Sequence, residues 1–192
     1  MSHECILNLC EKAKCPHYNI NQKRKIEYII VHYQGGLSSA RGVANYFCST
    51  DKDVSSHYII DEKNLIQCVS VENVAWHCYT GDVKNPICRN SNSIGVDIIA
   101  TKINKNSCSA SDNDWYLTDE CWERGAKLIA ELCLRHKIPL DNVVRHYDVT
   151  GKLCPRQFCT EIINKKTGNT GNKDWELFKK DVQKYIKEYS ER

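Results

Sequence analysis

Hydrophobic residues in this chain cluster in short runs that are separated by polar turns, a pattern typical of buried strands. Residues 26–33 and 93–100 are apolar on both faces of an extended chain, which predicts two central strands of a sheet. Residues 56–61 and 65–70 predict a hairpin, because two β-type runs flank a short polar connection. Residues 142–146 predict one more short strand.

Three other stretches carry apolar residues at the spacing of three and four positions that is typical of amphipathic helices. Ser39 and Thr118 stand where the first two helices begin, as residues whose side chains cap helix N-termini. The apolar stripes are Ala40, Val43, Ala44 and Phe47, then Trp122, Ala126, Ile129, Leu132 and Cys133, then Trp175, Phe178, Val182, Tyr185, Ile186 and Tyr189. The pattern predicts an α/β fold with a mixed central β-sheet flanked by about three helices.

The length and the distribution of these elements predict one domain. The chain has 192 residues, enough to bury about 70% of its unfolded surface. Residues 1–25 are polar and show no regular pattern, and we interpret them as an N-terminal extension of uncertain structure. Residues 26–192 hold all predicted elements and form the single domain, with a polar loop at 161–173.

Charge and hydropathy exclude two classes of partner. The net charge is only +3 and is evenly spread, so we expect no nucleic-acid-binding surface. No run reaches the ~18 apolar residues that a membrane span needs, so we expect no membrane partner. The first residues lack the basic start and apolar core of a signal peptide, which favours a protein made in the cytoplasm.

Cysteine is unusually frequent, with twelve in the chain. In a secreted protein this number would suggest a disulfide framework, but without an export signal we expect reduced and mostly buried thiols. No Cys-x-x-Cys pair occurs, which disfavours a structural zinc site and a domain that only binds another protein.

Polar residues interrupt the predicted strands where apolar residues are expected. His32 and His146 lie at the carboxyl ends of two strands, where ligand sites of α/β sheets gather. Asp97 lies in the middle of a third strand, where a carboxylate is costly unless compensated. With Cys154, the histidines could form a His-His-Cys zinc site with one open position. Spacing alone favours a simpler interpretation, two hydrogen-bonded core histidines and a buried cysteine.

Five short motifs occur in the order expected of one family. Together they resemble the zinc-dependent N-acetylmuramoyl-L-alanine amidases of the phage-lysozyme and peptidoglycan-recognition-protein type, most of all a bacteriophage endolysin. The motifs are Ile-Ile-Val-His32-Tyr, Ser-Ser-His57-Tyr, Ala75-Trp-His77, Asn92-Ser-Ile-Gly-Val-Asp97 and Arg145-His146-Tyr-Asp-Val-Thr-Gly-Lys152-Leu-Cys154-Pro.

The resemblance implies roles for individual residues. It implies that His32, His146 and Cys154 bind Zn²⁺. Asp97 matches the position where related amidases usually carry a glutamate that handles the proton of the attacking water, and here the side chain is one methylene shorter. Lys152 matches a position that stabilises the developing oxyanion, with an exposed loop lysine as the alternative.

Three further residues are expected at the substrate. We expect Tyr33 at the border of the cleft and His57 and His77 near the substrate, although Tyr33 also fits an ordinary strand-to-helix turn and His57 is more simply a hydrogen-bonded structural histidine than a fourth ligand. Ser56 stands where relatives often have a functional tyrosine, so that role is not transferred to this chain.

The resemblance implies a hydrolase of the bond between N-acetylmuramic acid and L-alanine in bacterial peptidoglycan, and we expect a monomer. Residues 26–192 would then be its catalytic domain. An endolysin made without a signal peptide would act on the wall after release, and a secreted hydrolase is the alternative. Two other functions stay open, a non-catalytic peptidoglycan receptor and a cytosolic amidase that recycles muropeptides.

Overall fold

The computed structural model describes residues 5–21, 23–78 and 84–191, so parts of the predicted extension (1–4 and 22) lie outside the described residues. Within the described part, a six-stranded sheet has helices packed on both faces. This arrangement confirms the predicted α/β class and the mixed central sheet.

The strands form one large sheet and two small ribbons. The large sheet has the order β1-β5-β4-β7-β3-β10, and all neighbours are parallel except the β4–β5 hairpin. The strands in the described part are β1 (Glu11–Lys12), β2 (Tyr18–Asn19), β3 (Tyr28–His32), β4 (Tyr58–Ile60), β5 (Leu65–Gln67), β6 (Val74–Ala75), β7 (Ser93–Ile98), β8 (Thr101–Lys102), β9 (Trp115–Tyr116) and β10 (Val143–Arg145).

The described part contains the three predicted helices and one short helix more. The helices are α1 (Ala40–Ser49), α2 (Asp119–His136), α3 (His146–Thr150) and α4 (Gly171–Ser190). Ser39 and Thr118 cap α1 and α2 as predicted, since their side chains accept backbone N–H hydrogen bonds. The cap of Thr170 starts α4 inside the segment predicted as a polar loop. In the described structure, no helix combines the length and the apolarity needed to cross a bilayer.

The two faces of the sheet bury separate cores. Alternate residues of the central strands, such as Ile29 and Val31, pack against α2 and α4. Residues of opposite orientation, such as Ile59 and Ile66, pack against α1. Helices α1, α2 and α4 thereby cover the faces of the sheet, and α3 follows β10 at its carboxyl end.

The N-terminal segment, for which no element was predicted, packs onto the domain. Strand β1 adds an edge to the large sheet, and Ile6 is buried in the main core. The Glu131 carboxylate of α2 accepts hydrogen bonds from the backbone N–H groups of Ile6 and Leu7 at 2.7 and 3.2 Å. The segment is therefore bound to the sheet edge and to α2.

Strand register brings the polar residues of the predicted site together. His32 of β3 and Asp97 of β7 are direct cross-strand partners. Arg145, the last residue of β10, pairs with Val31, so His146 follows at the level of His32. Because these strands run parallel, their carboxyl ends meet at one edge of the sheet.

Candidate metal centre and catalytic cleft

Two histidines and a cysteine meet at the carboxyl edge of the central strands. His32 ends β3, His146 begins α3 and Cys154 lies in the loop after α3. One ligand atom from each lies within 4.8 Å of the others. The Cys154 Sγ is 3.7 Å from His32 Nδ1. Nitrogen and sulfur ligands of a tetrahedral zinc ion would be about 3.6 Å apart, so this group could hold a metal ion.

Burial keeps all three side chains in their neutral forms in the absence of a cation. It lowers the pKa of His32 well below its usual value and that of His146 to about 4, and it raises the pKa of the Cys154 thiol. Neither ring nitrogen of His146 has a hydrogen-bond partner of good geometry among the described residues, although the Cys78 backbone lies close by. Neutral imidazoles with free lone pairs are the form that binds metals.

Asp97 provides a buried carboxylate beside the three candidate ligands. Its side chain accepts a hydrogen bond from Gln34 Nε2 at 2.5 Å. Burial raises the pKa of Asp97 to about 6, and the Ser56 hydroxyl, the Gln34 amide and the Lys152 charge partly offset that effect. A carboxyl group with this pKa changes its protonation state near neutral pH, as a general base must.

Lys152 lies at the mouth of the cleft and acts on its neighbours through charge. The side chain is exposed and follows α3 in the chain. Its positive charge favours the ionised forms of Asp97 and Cys154 and the neutral forms of the two histidines. The cleft has a volume of about 610 Å³, and its lining includes His32, Gln34, His77, Asp97, His146, Lys152 and Cys154.

One wall of the cleft is a loop at residues 109–111, which we call the wall loop. Side chains from outside the loop donate hydrogen bonds to its three consecutive backbone carbonyls. Trp115 Nε1 donates to the carbonyl of Ser109 at 2.8 Å, and the Tyr33 hydroxyl donates to that of Ala110 at 3.4 Å. Arg156 donates to the next carbonyl, that of residue 111, at 3.1 Å. Sequence reasoning missed this wall, since backbone carbonyls leave no signal in the pattern of side chains.

The three residues expected at the substrate lie in different environments. Tyr33 and His77 line the cleft, with the Tyr33 hydroxyl turned to the wall loop. His57 is fully buried, and its Nδ1 accepts a hydrogen bond from the Gly95 N–H at 2.9 Å. With no exposed surface, His57 does not reach the cleft, contrary to the expectation of a substrate contact. Its hydrogen bond to Gly95 instead ties His57 to β7.

The N-terminal segment also reaches the back of the site through Arg24, a residue that the sequence pattern did not single out. Its guanidinium donates to the backbone carbonyls of Asn73 and Ser93 and lies 3.2 Å from His57 Nε2. Burial and this positive charge lower the pKa of His57 to about 3. The only available signal was one arginine in a polar stretch.

Comparison with known proteins agrees with this geometry. The model of the N-acetylmuramoyl-L-alanine amidase family matches residues 22–157, which include all three candidate ligands, Asp97 and Lys152. The chain belongs to this amidase family. Its relatives include the N-acetylmuramoyl-L-alanine amidase CwlA of Bacillus subtilis, which is 29% identical over 165 residues, or 84% of this chain and 54% of CwlA.

The amidase fold is also present in solved structures. The PlyG catalytic domain has a TM-score of 0.65 at 24% identity and covers 92% of this chain and 94% of that domain. The catalytic domain of XlyA has a TM-score of 0.63 at 23% identity, with 90% and 98% covered. The chain spans about half the length of CwlA, so the similarity concerns one part of that amidase.

Proposed function

We propose that this chain is a zinc-dependent N-acetylmuramoyl-L-alanine amidase that acts as an endolysin on bacterial peptidoglycan. It would hydrolyse the amide bond between N-acetylmuramic acid and the L-alanine of the stem peptide. The observation that carries the proposal is the group of His32, His146 and Cys154 at one side of a cleft that also contains Asp97. Family membership supplies the reaction type.

In this proposal, the zinc ion would be held by His32 Nδ1, one ring nitrogen of His146 and the Cys154 thiolate. The donor set fits zinc, since two imidazoles and a thiolate leave one open tetrahedral position. When bound, zinc supplies Lewis-acid chemistry, because it lowers the pKa of water and polarises a carbonyl group. The same positive charge stabilises the Cys154 thiolate, whose formation burial otherwise disfavours.

Asp97 is the proposed general base and acid. Its carboxylate would take a proton from the attacking water and give it to the nitrogen of L-alanine as the amide bond breaks. Gln34 orients the carboxylate by donating to Oδ1. Lys152 would stabilise the negative oxygen of the tetrahedral intermediate, for which a donor typically contributes ~10²–10³ in rate.

The cleft has room for part of a glycan-peptide substrate. Its volume of about 610 Å³ and its open form fit a muramoyl sugar with the first residues of the stem peptide. Tyr33 and His77 would contact this substrate through their ring faces, since their polar atoms already bond to the protein. We further propose that the protein is a monomer, made in the cytoplasm and active on the wall after release.

Mass spectrometry of digested peptidoglycan tests the proposal. Zinc-loaded protein should release peptides with new L-alanine amino termini and leave the glycan strands uncut. Wall binding without cleavage would favour the receptor, and cleavage of soluble muropeptides but not of intact sacculi would favour the recycling amidase. Cleaved sugar linkages, or a purified protein that binds no zinc, would contradict the proposal.

A further inference from the structure

A second histidine contacts His32 on the side away from the candidate metal. His77 Nδ1 lies 3.0 Å from His32 Nε2, whereas the other ring nitrogen of His32, Nδ1, faces Cys154 Sγ. The two rings meet edge to face, with 86° between their planes. His77 is outside the group whose ligand atoms meet, so its contact with the candidate metal ligands runs through the His32 ring.

The hydrogen bonds continue from His77 to a buried serine and end at a backbone carbonyl. His77 Nε2 lies 3.3 Å from Ser93 Oγ, and Ser93 Oγ donates to the carbonyl of Arg89 at 2.6 Å. Ser93 is fully buried at the start of β7. The four groups therefore form a continuous path from the Arg89 carbonyl to the metal-facing side of His32.

The carbonyl at the end of this path determines the direction of every hydrogen bond in it. A carbonyl oxygen only accepts, so the single proton of the Ser93 hydroxyl points to Arg89, and Ser93 Oγ accepts from His77. His77 Nε2 then carries the proton, which leaves Nδ1 as an acceptor for the N–H of His32.

A glycine makes room for the His77 ring. A Cβ atom at Gly95, in the middle of β7, would lie 2.7 Å from His77 Cγ and 2.8 Å from His77 Nδ1. Real Cβ atoms do not come so close to a ring, so any side chain at Gly95 would displace His77. The position of the acceptor for His32 thus depends on the strand beneath it.

We infer that His77 and Ser93 form a relay that fixes the Nε2–H tautomer of His32 and so directs its Nδ1 lone pair toward Cys154 and His146. With respect to the metal both are positioning residues, since they act on it through His32. The tautomer itself follows from hydrogen bonding in the metal-free protein, and only its consequence for zinc binding rests on the proposed function. Outer-shell partners of ligand histidines typically contribute 10–100-fold to metal affinity.

Two variants of nearly equal shape separate hydrogen bonding from packing. His77→Asn keeps an acceptor oxygen near the position of Nδ1, whereas His77→Leu removes it. Zinc affinity, measured by competition with a chelator, should fall about 10–100-fold in His77→Leu and only a few-fold in His77→Asn. Equal losses in both variants, or none in either, would overturn the relay. His136→Leu, which removes a histidine of α2, is the control and should leave the affinity unchanged.

A measurement without metal tests the tautomer directly. Long-range ¹H–¹⁵N spectra of the metal-free protein should show His32 and His77 both protonated at Nε2, and His77→Leu should convert His32 to a mixture of tautomers. A wild-type His32 protonated at Nδ1 would refute the inference. Wild-type protein that shows the expected tautomers but binds no zinc would refute the proposed function and leave the relay intact.

Discussion

The Sγ atom of Cys154 lies 3.7 Å from Nδ1 of His32, although 122 positions separate the two residues in the chain. The parallel pairing of β3 with β10 produces this proximity, because α3 and the following loop start where β10 ends. The candidate metal site is therefore a product of the sheet, and its ligands meet only in the folded chain.

Replacing Cys154 with serine should abolish zinc binding and wall lysis. A serine hydroxyl does not ionise at neutral pH, so the site would lose its one anionic ligand. The loss of affinity should exceed the 10–100-fold typical of outer-shell changes, and a chelator competition assay measures it. Cys159→Ser is the matched control, since its buried thiol donates to the Pro155 carbonyl and a hydroxyl can do the same. If Cys154→Ser lysed walls like wild type, the proposed site would be wrong.

The sequence predicted the sheet and the candidate ligands for different reasons. Apolar runs over residues 26–33 and 93–100 identified the central strands because burial on both faces leaves a strong pattern. Spacing could not identify the ligands, since nothing local relates His32 to Cys154. The family motifs supplied that relation, and the register of the strands explains it.

Other parts were unpredictable because they depend on backbone groups or on single polar residues. Glu131 lies among buried residues of α2, and only the structure shows that it binds the backbone of the N-terminal segment. Ser93 has the sequence context of an ordinary first residue of a strand, and only the structure shows its hydrogen bond to the Arg89 carbonyl. Such contacts join distant segments and leave no periodic signal in the sequence.

Asp97→Asn should lower turnover by about 10²–10⁴, the usual contribution of general acid–base catalysis. The amide keeps the size of the side chain but accepts no proton, so zinc affinity should change little while kcat falls. Asp97→Glu retains the carboxylate and should retain measurable turnover. Equal activity of the Asn variant and wild type would exclude Asp97 as the base.

The pH dependence of turnover tests the same carboxylate. The pKa of Asp97 is raised to about 6 in the metal-free protein, and a bound cation lowers the pKa of a nearby carboxylate. Activity should therefore rise with pH along a limb whose midpoint is at or below about 6, as the carboxylate ionises. This limb should be missing from the residual activity of Asp97→Asn.

Lys152→Met should reduce kcat by about 10²–10³ if the ammonium stabilises the oxyanion. Lys152→Arg keeps the charge and should lose less. Because Lys152 is exposed, neither change should lower the melting temperature much. If Lys152→Met had a normal kcat on a soluble muramoyl-peptide, Lys152 would be an exposed loop lysine that does not stabilise the oxyanion.

Acid should destabilise the metal-free protein through His57. Its pKa is about 3 in the folded protein against 6.5 for an ordinary histidine, because burial and Arg24 oppose a second proton. The unfolded chain thus binds more protons between these values, so the contribution of His57 to stability is complete above pH 6.5 and is lost as pH falls toward 3. Urea unfolding at several pH values should show a shallower decline in His57→Asn. Parallel curves for both proteins would contradict this assignment.

The wall loop should control substrate binding through the hydrogen bond between Trp115 and Ser109. Trp115→Phe keeps an aromatic ring in the core but removes the Nε1 donor to the carbonyl of the exposed Ser109, a hydrogen bond that contributes about 0.5–1.5 kcal/mol. A looser wall should raise KM several-fold and leave kcat nearly unchanged.

Trp122→Phe provides the comparison, since it also removes an indole donor, to Asp181 of α4, but far from the cleft. It should affect thermal stability without a change in KM. If both variants changed KM alike, the effect would come from a general loss of stability. The hydrogen bonds to the carbonyls of residues 109–111 would then have no specific role in substrate binding.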